Sequence, residues 1–254
     1  MYLVGAIHTD PKGPERLTKL LRYLKPKSVG IEWVMADGSV CPSYDDLLKD
    51  LDLVDSLIEK QRLLIRKSEF PPVLKDFLIW SNDCYHYEFR VPVKLKKEIG
   101  FSLYCVDHPM GRRKIYQEPS IDETWIKLAN QDKEKYRAIS LEQLQQEFQK
   151  FIDETYINPL TIQKIDEYLG SAPGPIFEGK RGIREAYLFE KVKESNPDVQ
   201  IGGLGHMMEN PPEEFEPFMH RYNLAKRLKS AGINVIQVKL VKMDQIISSF
   251  KPNF

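Results

Sequence analysis

The sequence has few cysteines, no excess of either charge and no long apolar run, and each absence excludes a class of protein. The cysteines Cys41, Cys84 and Cys105 are widely spaced, which argues against a disulfide framework and favours a reducing, cytoplasmic compartment. Basic and acidic residues both number 37, so net charge gives no reason to expect nucleic acid or an anionic membrane as the main partner. No run approaches the roughly 20 apolar residues of a membrane helix.

The length and the apolar pattern favour one α/β domain. The first apolar run has no basic leader and breaks at Gly5 and His8, so we expect a strand there and not a secretory signal. At 254 residues the chain can bury one large core. We predict a single domain over 1–254 with a helical insertion at about 115–175, placed to cap a site, because that region shows helical and no strand periodicity. The oligomeric state stays open, with a homodimer among the states that the sequence allows.

Two segments with the same pattern stand near opposite ends of the chain. One apolar run ends in Gly5-Ala6-Ile7-His8 and the other in Gly203-Leu204-Gly205-His206. Apolar runs of this length bounded by turn formers are typical of strands buried on both faces, as in a parallel sheet covered by helices. A single copy would more often be a packing glycine followed by a polar loop residue. The repetition predicts that both histidines lie at one site, since ligands of such sheets bind beyond the carboxyl ends of the strands.

Two more apolar runs are followed directly by a carboxylate. Residues 1–32 read as strand, helix and strand, and the right-handed crossover rule places Glu32 at the same sheet edge as His8. Asp107 follows the run 101–106, although a lone carboxylate in such a place is as readily the first solvated loop residue. We therefore predict a mainly parallel central sheet flanked by helices. Further elements are predicted as helices at 44–67, 182–192 and 223–229 and an edge strand at 233–238.

Two imidazoles with one or two carboxylates have the chemistry of a hydrolytic site. These groups are ligand types of zinc, manganese or cobalt, which makes His8, Glu32 and His206 candidate metal ligands. A bound metal would acidify water, and a carboxylate could take the proton. The same residues could also work without metal, with a histidine as general base for a water held by Glu32. The spacing leaves both alternatives open, because no local motif such as His-Glu-x-x-His is present.

The order of these segments resembles the TraB/PrgY and TIKI group, whose wider relatives are the erythromycin esterase-like and ChaN-like proteins. The resemblance spans nearly the whole chain. It rests on Val4 to His8, Val29 to Glu32, Tyr87 to Arg90 with Val106-Asp107, the helix with Arg184-Glu185, and Gly203 to His206.

The resemblance implies a fold of this type and a set of functional residues. The implied catalytic residues are His8, Glu32, Arg184 and His206, and the implied substrate-binding residues are Glu88, Asp107 and Arg184. It also implies metal-dependent hydrolysis of a peptide, as in TIKI-like proteins, or of a small-molecule ester. Haem or iron binding, as in ChaN-like proteins, and a non-catalytic peptide-binding regulator, as in TraB-like proteins, are the alternatives that it carries.

For several other residues the sequence gives a structural role at least as much weight as a functional one. Relatives tend to have Glu-Arg-Asp where this chain has Ile183-Arg184-Glu185, which leaves Glu185 without a predicted role. Arg184 is equally expected to form a structural ion pair with Glu32 or Glu88. The histidines expected at the surface or at helix ends are His86, His108 and His220.

Overall fold

A parallel β-sheet forms the centre of the structure, a computed structural model that describes residues 1–35, 38–109, 136, 138–157, 176–207 and 223–243. Its strands are β1 (Tyr2–Ala6), β2 (Ser28–Ile31), β3 (Ser102–Cys105), β4 (Val199–Gly203) and β5 (Ile236–Lys239). They lie in the order β3-β2-β4-β1-β5, and every neighbouring pair is parallel. The prediction of a mainly parallel α/β fold is confirmed.

Helices cover the sheet and connect its strands. They are α1 (Gly13–Leu24), α2 (Tyr44–Lys67), α3 (Pro72–Asn82), α4 (Tyr87–Ile99), α5 (Leu141–Ile157), α6 (Ile176–Ser195), α7 (Leu204–Met207) and α8 (Leu224–Ser230), and a 3-10 turn spans Leu240–Lys242. The helix predicted at 44–67 has these bounds, with Ser43 accepting a hydrogen bond from the amide of Asp46 at its start. In the part of the chain that the structure describes, no helix is long and apolar enough to cross a membrane.

The strand register brings the carboxyl ends of three strands side by side. Strand β4 lies between β1 and β2, with Gly203 opposite Ala6 and Ile201 opposite Ile31. All residues of β4 are buried, as expected for a central strand with helices on both faces. At the edge, β5 is shorter than predicted and leaves the Ile236 side chain half-exposed. The central strands therefore end together at a single rim.

The short helix α7 turns the chain immediately after β4 and packs on β1. A Cβ atom added at Gly5 would lie 2.7 Å from Cδ1 of Leu204 and 3.5 Å from Cβ of Met207. The side chains of Leu204 and Met207 are themselves buried. Gly5 is thus required by a close helix–strand approach, which is the packing role considered for the Gly-x-x-His glycine.

Most of the described part of the predicted insertion is helical, and its largest piece is helix α5. Helix α5 packs against α3, where the ring of Phe148 lies edge-on to that of Phe77 with centroids 5.3 Å apart. Residues 115–135, 137 and 158–175 of the predicted insertion lie outside the described residues. The placement of α5 within one domain over 1–254 stays a prediction.

Candidate active site

Four strand ends place ionisable side chains at the carboxyl rim of the sheet. His8 lies in the turn after β1, Glu32 directly follows β2, and Asp107 comes two residues after β3. His206 lies within helix α7, which begins without a loop at the end of β4, whereas the sequence predicted a loop there. The parallel strands carry all four residues to the same edge, as the crossover argument predicted.

Three of these side chains face one small space above Gly203. A Cβ atom added at Gly203 would lie 3.2 Å from Cδ2 of His206, 3.4 Å from Nε2 of His8 and 3.8 Å from Oε2 of Glu32. The amide of Gly203 donates a hydrogen bond to that Glu32 oxygen at 3.1 Å. The structure therefore brings together the two histidines and the glutamate that the sequence singled out, and glycine leaves the space between them free.

A carboxylate from helix α4 holds the first imidazole. Nδ1 of His8 lies 2.7 Å from Oε1 of Glu88. Attraction to Glu88 raises the pKa of His8 to about 9. The Glu88 side chain is only 12% exposed, but that of His8 is 65% exposed. This pair, the His8 dyad, therefore turns Nε2 toward Gly203 while its ring stays accessible to a ligand.

A carboxylate from helix α6 holds the second imidazole. Nδ1 of His206 is paired with Oε1 of Glu185, whose side chain is 1% exposed. Burial by itself would lower the pKa of His206, but attraction to Glu32 and Glu185 outweighs it and raises that pKa. This pair, the His206 dyad, gives Glu185 a partner that the sequence did not predict. Its position beside Arg184 in the quoted helix segment was the only signal for it.

Arg184 connects two of the rim carboxylates. Its Nε and Nη2 atoms donate to the two oxygens of Asp107 at 2.6 and 2.8 Å, and Nη2 lies 3.8 Å from Oε2 of Glu32. An ion pair with Glu32 was one expectation, yet Asp107 is the closer partner, and Glu88 instead binds His8. Burial would lower the pKa of Arg184, but Asp107 and Glu32 together raise it, so the guanidinium keeps its charge.

Glu32 is the carboxylate that faces the space above Gly203, and its side chain is 6% exposed. Burial is the largest influence on its pKa and raises it, with His206 and Arg184 acting in the opposite direction. While Oε2 accepts from Gly203, Oε1 is buried and has no hydrogen-bond partner among the described residues. A buried oxygen left in this state is suited to accept a proton or to bind a ligand.

The donor types at this point fit a divalent cation. Metal-binding histidines usually donate their other ring nitrogen to a carboxylate; Nδ1 of His8 has such a partner in Glu88, and Nδ1 of His206 forms its ion pair with Glu185. Nε2 of His8, Nε2 of His206 and the Glu32 carboxylate are the atoms that would hold the ion. Within the described ranges, no three His, Cys, Asp or Glu side chains are already arranged as a group that could hold a metal ion.

The remaining histidines differ in their surroundings. His86 is half-buried and lies at a helix end, as expected: it is the N-cap residue of helix α4, with a left-handed backbone (φ 53°) and its ring 5.4 Å from that of Trp33, edge to face. Burial lowers its pKa to about 4. The rings of His108 and Tyr187 lie edge to face, with their centroids 4.9 Å apart. His220 lies outside the described residues.

Comparison of the chain with protein families, with curated proteins and with solved structures finds no match. The resemblance to the TraB/PrgY and TIKI group therefore stays a hypothesis based on the residues quoted for it.

Proposed function

We propose that this chain is a hydrolase that cleaves a peptide or ester bond in the space above Gly203, with the help of a divalent metal ion. One observation carries the proposal: two imidazoles, each held at Nδ1 by a buried carboxylate, turn toward the same point as a buried glutamate. Histidines oriented in this way, next to a carboxylate with a raised pKa, are typical of sites that move protons.

The charge state of each ionisable side chain in the site indicates the role that it would have in hydrolysis. Where Glu32 is not itself a ligand of the ion, its raised pKa suits a general base that takes a proton from water. The raised pKa of His8 keeps its imidazole protonated at neutral pH in the metal-free protein, so binding of an ion through Nε2 would release that proton. Arg184, held by Asp107, keeps a positive charge beside Glu32.

A zinc, manganese or cobalt ion would be held by His8, Glu32 and His206. When bound, the ion would polarise the scissile carbonyl and lower the pKa of water. Glu88 and Glu185 would then fix the tautomer of each ring, so that Nε2 is the ligating nitrogen. The exposed ring of His8 leaves this side open to a substrate. We place the reaction in the cytoplasm, consistent with reduced thiols at Cys41, Cys84 and Cys105.

Elemental analysis and a hydrolase panel test the proposal together. Protein purified without chelator is analysed for metals and then assayed against peptide and ester substrates with and without manganese, cobalt and zinc. We expect turnover that depends on one of these metals and falls about 10²- to 10⁴-fold in Glu32→Gln, since that is the usual contribution of a general base. Glu190→Gln, an exposed position of helix α6, is the matched control and should keep full turnover.

Three results would contradict the proposal. A folded Glu32→Gln protein with unchanged turnover and metal content would remove Glu32 from the chemistry. A Soret band after haem addition, with no turnover on the panel, would favour the haem or iron carrier. Tight peptide binding that Glu32→Gln leaves unchanged, again without turnover, would favour the non-catalytic regulator.

A further inference from the structure

A buried carboxylate lies two residues after His8. Asp10 is 0% exposed, and its amide donates to the carbonyl of Ile7 at 2.9 Å, which closes the turn that carries the histidine. Its carboxylate accepts hydrogen bonds from the amide of Lys12 (3.0 Å), Nη1 of Arg16 (3.0 Å), Nε2 of Gln149 (3.2 Å) and the hydroxyl of Tyr156 (3.1 Å). A carboxylate so enclosed needs partners of this kind to stay buried.

Helix α5 supplies two of these donors. The hydroxyl of Tyr156 also accepts a hydrogen bond from the amide of Ile7 at 3.1 Å, so one oxygen links the residue before His8 to the carboxylate after it. Arg16 extends the contact, because its guanidinium also lies 2.9 Å from Asp153 of the same helix. The turn of His8 is therefore held from outside the sheet, by a helix more than 130 residues later in the chain.

The second histidine has no such dependence among the described contacts. His206 lies in α7, which continues β4, and its partner Glu185 comes from α6. Neither α6 nor α7 contributes a residue to the hydrogen bonds around Asp10. Loss of the α5 contacts should thus alter one histidine and spare the other.

We propose that helix α5 is a positioning element of the site, in which the Tyr156 hydroxyl and the Asp10 carboxylate hold the turn that sets the His8 ring between Glu88 and Gly203. Gln149 and Arg16 act through Asp10, and Tyr156 acts both through Asp10 and through the amide of Ile7. The inference deepens the proposed function and rests on it for the role of His8, but the placement of the ring can be measured without any turnover.

Tyr156→Phe tests the inference, because it removes one hydroxyl and keeps the ring that fills the core. The readout is the imidazole Nδ1 proton of each dyad in NMR spectra of the metal-free, full-length protein, assigned with His8→Gln and His206→Gln. We expect the hydrogen-bonded Nδ1 proton of His8 to shift or be lost through exchange with water, while that of His206 stays in place. Gln149→Leu, which removes a single donor to Asp10, should give a smaller shift in the same direction and serves if Tyr156→Phe does not fold.

Phe148→Leu is the matched control on the same helix. Its ring packs on Phe77 and Trp80 and has no hydrogen-bond donor to offer Asp10, so this variant should lower the melting temperature and leave both Nδ1 protons unchanged. Unchanged His8 resonances in folded Tyr156→Phe and Gln149→Leu would overturn the inference, as would equal loss in Phe148→Leu. A shifted His8 resonance in a protein without turnover would keep the positioning role and reject only the hydrolase.

Discussion

The two histidine dyads repeat one motif in sequence but differ in how the fold holds them. The His8 side chain is 65% exposed and stands on a turn, whereas that of His206 is 18% exposed and belongs to a helix packed on the sheet. Their carboxylates differ less, with Glu88 and Glu185 both almost buried. The comparison indicates that the His206 dyad is part of the core and that the His8 dyad is the one whose ring is open to solvent.

The largest expected difference in stability is between the alanine variants of the two carboxylates that hold the histidines, Glu185 and Glu88. Glu185→Ala leaves a buried His206 without its partner, and breaking a buried pair in this way usually costs about 3–5 kcal/mol. In Glu88→Ala, water can replace the lost partner of the exposed His8, so we expect a loss well below that of Glu185→Ala. Denaturant unfolding of both variants measures the difference. Equal losses would mean that the dyads are held alike.

The next largest difference is expected between the alanine variants of the two motif glycines, Gly5 and Gly203. A methyl group in Gly5→Ala meets Cδ1 of Leu204 at 2.7 Å and its Cα at 3.3 Å, and such overpacking typically costs about 1–3 kcal/mol. In Gly203→Ala the methyl enters the space between His8, His206 and Glu32. We expect Gly203→Ala to stay close to wild-type stability and to lose turnover or metal binding, as unfolding and binding assays can establish. A destabilised Gly203→Ala with intact binding would reverse the comparison.

The smallest expected effect is the pH dependence of the His8 dyad in the metal-free protein. The folded-state pKa of His8 is raised to about 9 from an ordinary value of 6.5. Its contribution to stability is therefore fully present below pH 6.5 and is lost as the pH rises through 9. Solvent screening of the exposed ring keeps the effect small. The stability difference between wild type and His8→Gln, measured by unfolding between pH 6 and 9.5, should shrink with rising pH, and a growing difference would contradict this assignment.

The residues at the rim of the site could be predicted from the sequence because their positions depend on local patterns. An apolar run that ends in an ionisable residue can be recognised without its neighbours, and parallel strands must all end at one edge. His8, Glu32, Asp107 and His206 were accessible in this way. The position of β4 between β1 and β2 was not, since nothing local selects among the possible orders of parallel strands.

The partners of the histidines could not be predicted from local signals. Glu88 lies 80 residues from His8, and many other glutamates lie on helices with similar patterns. Glu185 differs from the residue expected by resemblance and was left without a role. Asp10 resembles an ordinary turn residue in sequence, and only the packing of helix α5 makes it a buried acceptor. Long-range packing, which has no period along the chain, decides these contacts.

The central place of β4 also sets an order of events during synthesis. Strand β1 pairs only with β4 and β5, and β2 pairs only with β3 and β4, among the described strands. A nascent chain that has not yet reached residues 199–203 can join β2 to β3, but it has no strand to place beside β1. His8 leaves the ribosome almost 200 residues before strand β4, the strand beside which β1 must pair. The site is therefore complete only when β4 has been inserted between β1 and β2.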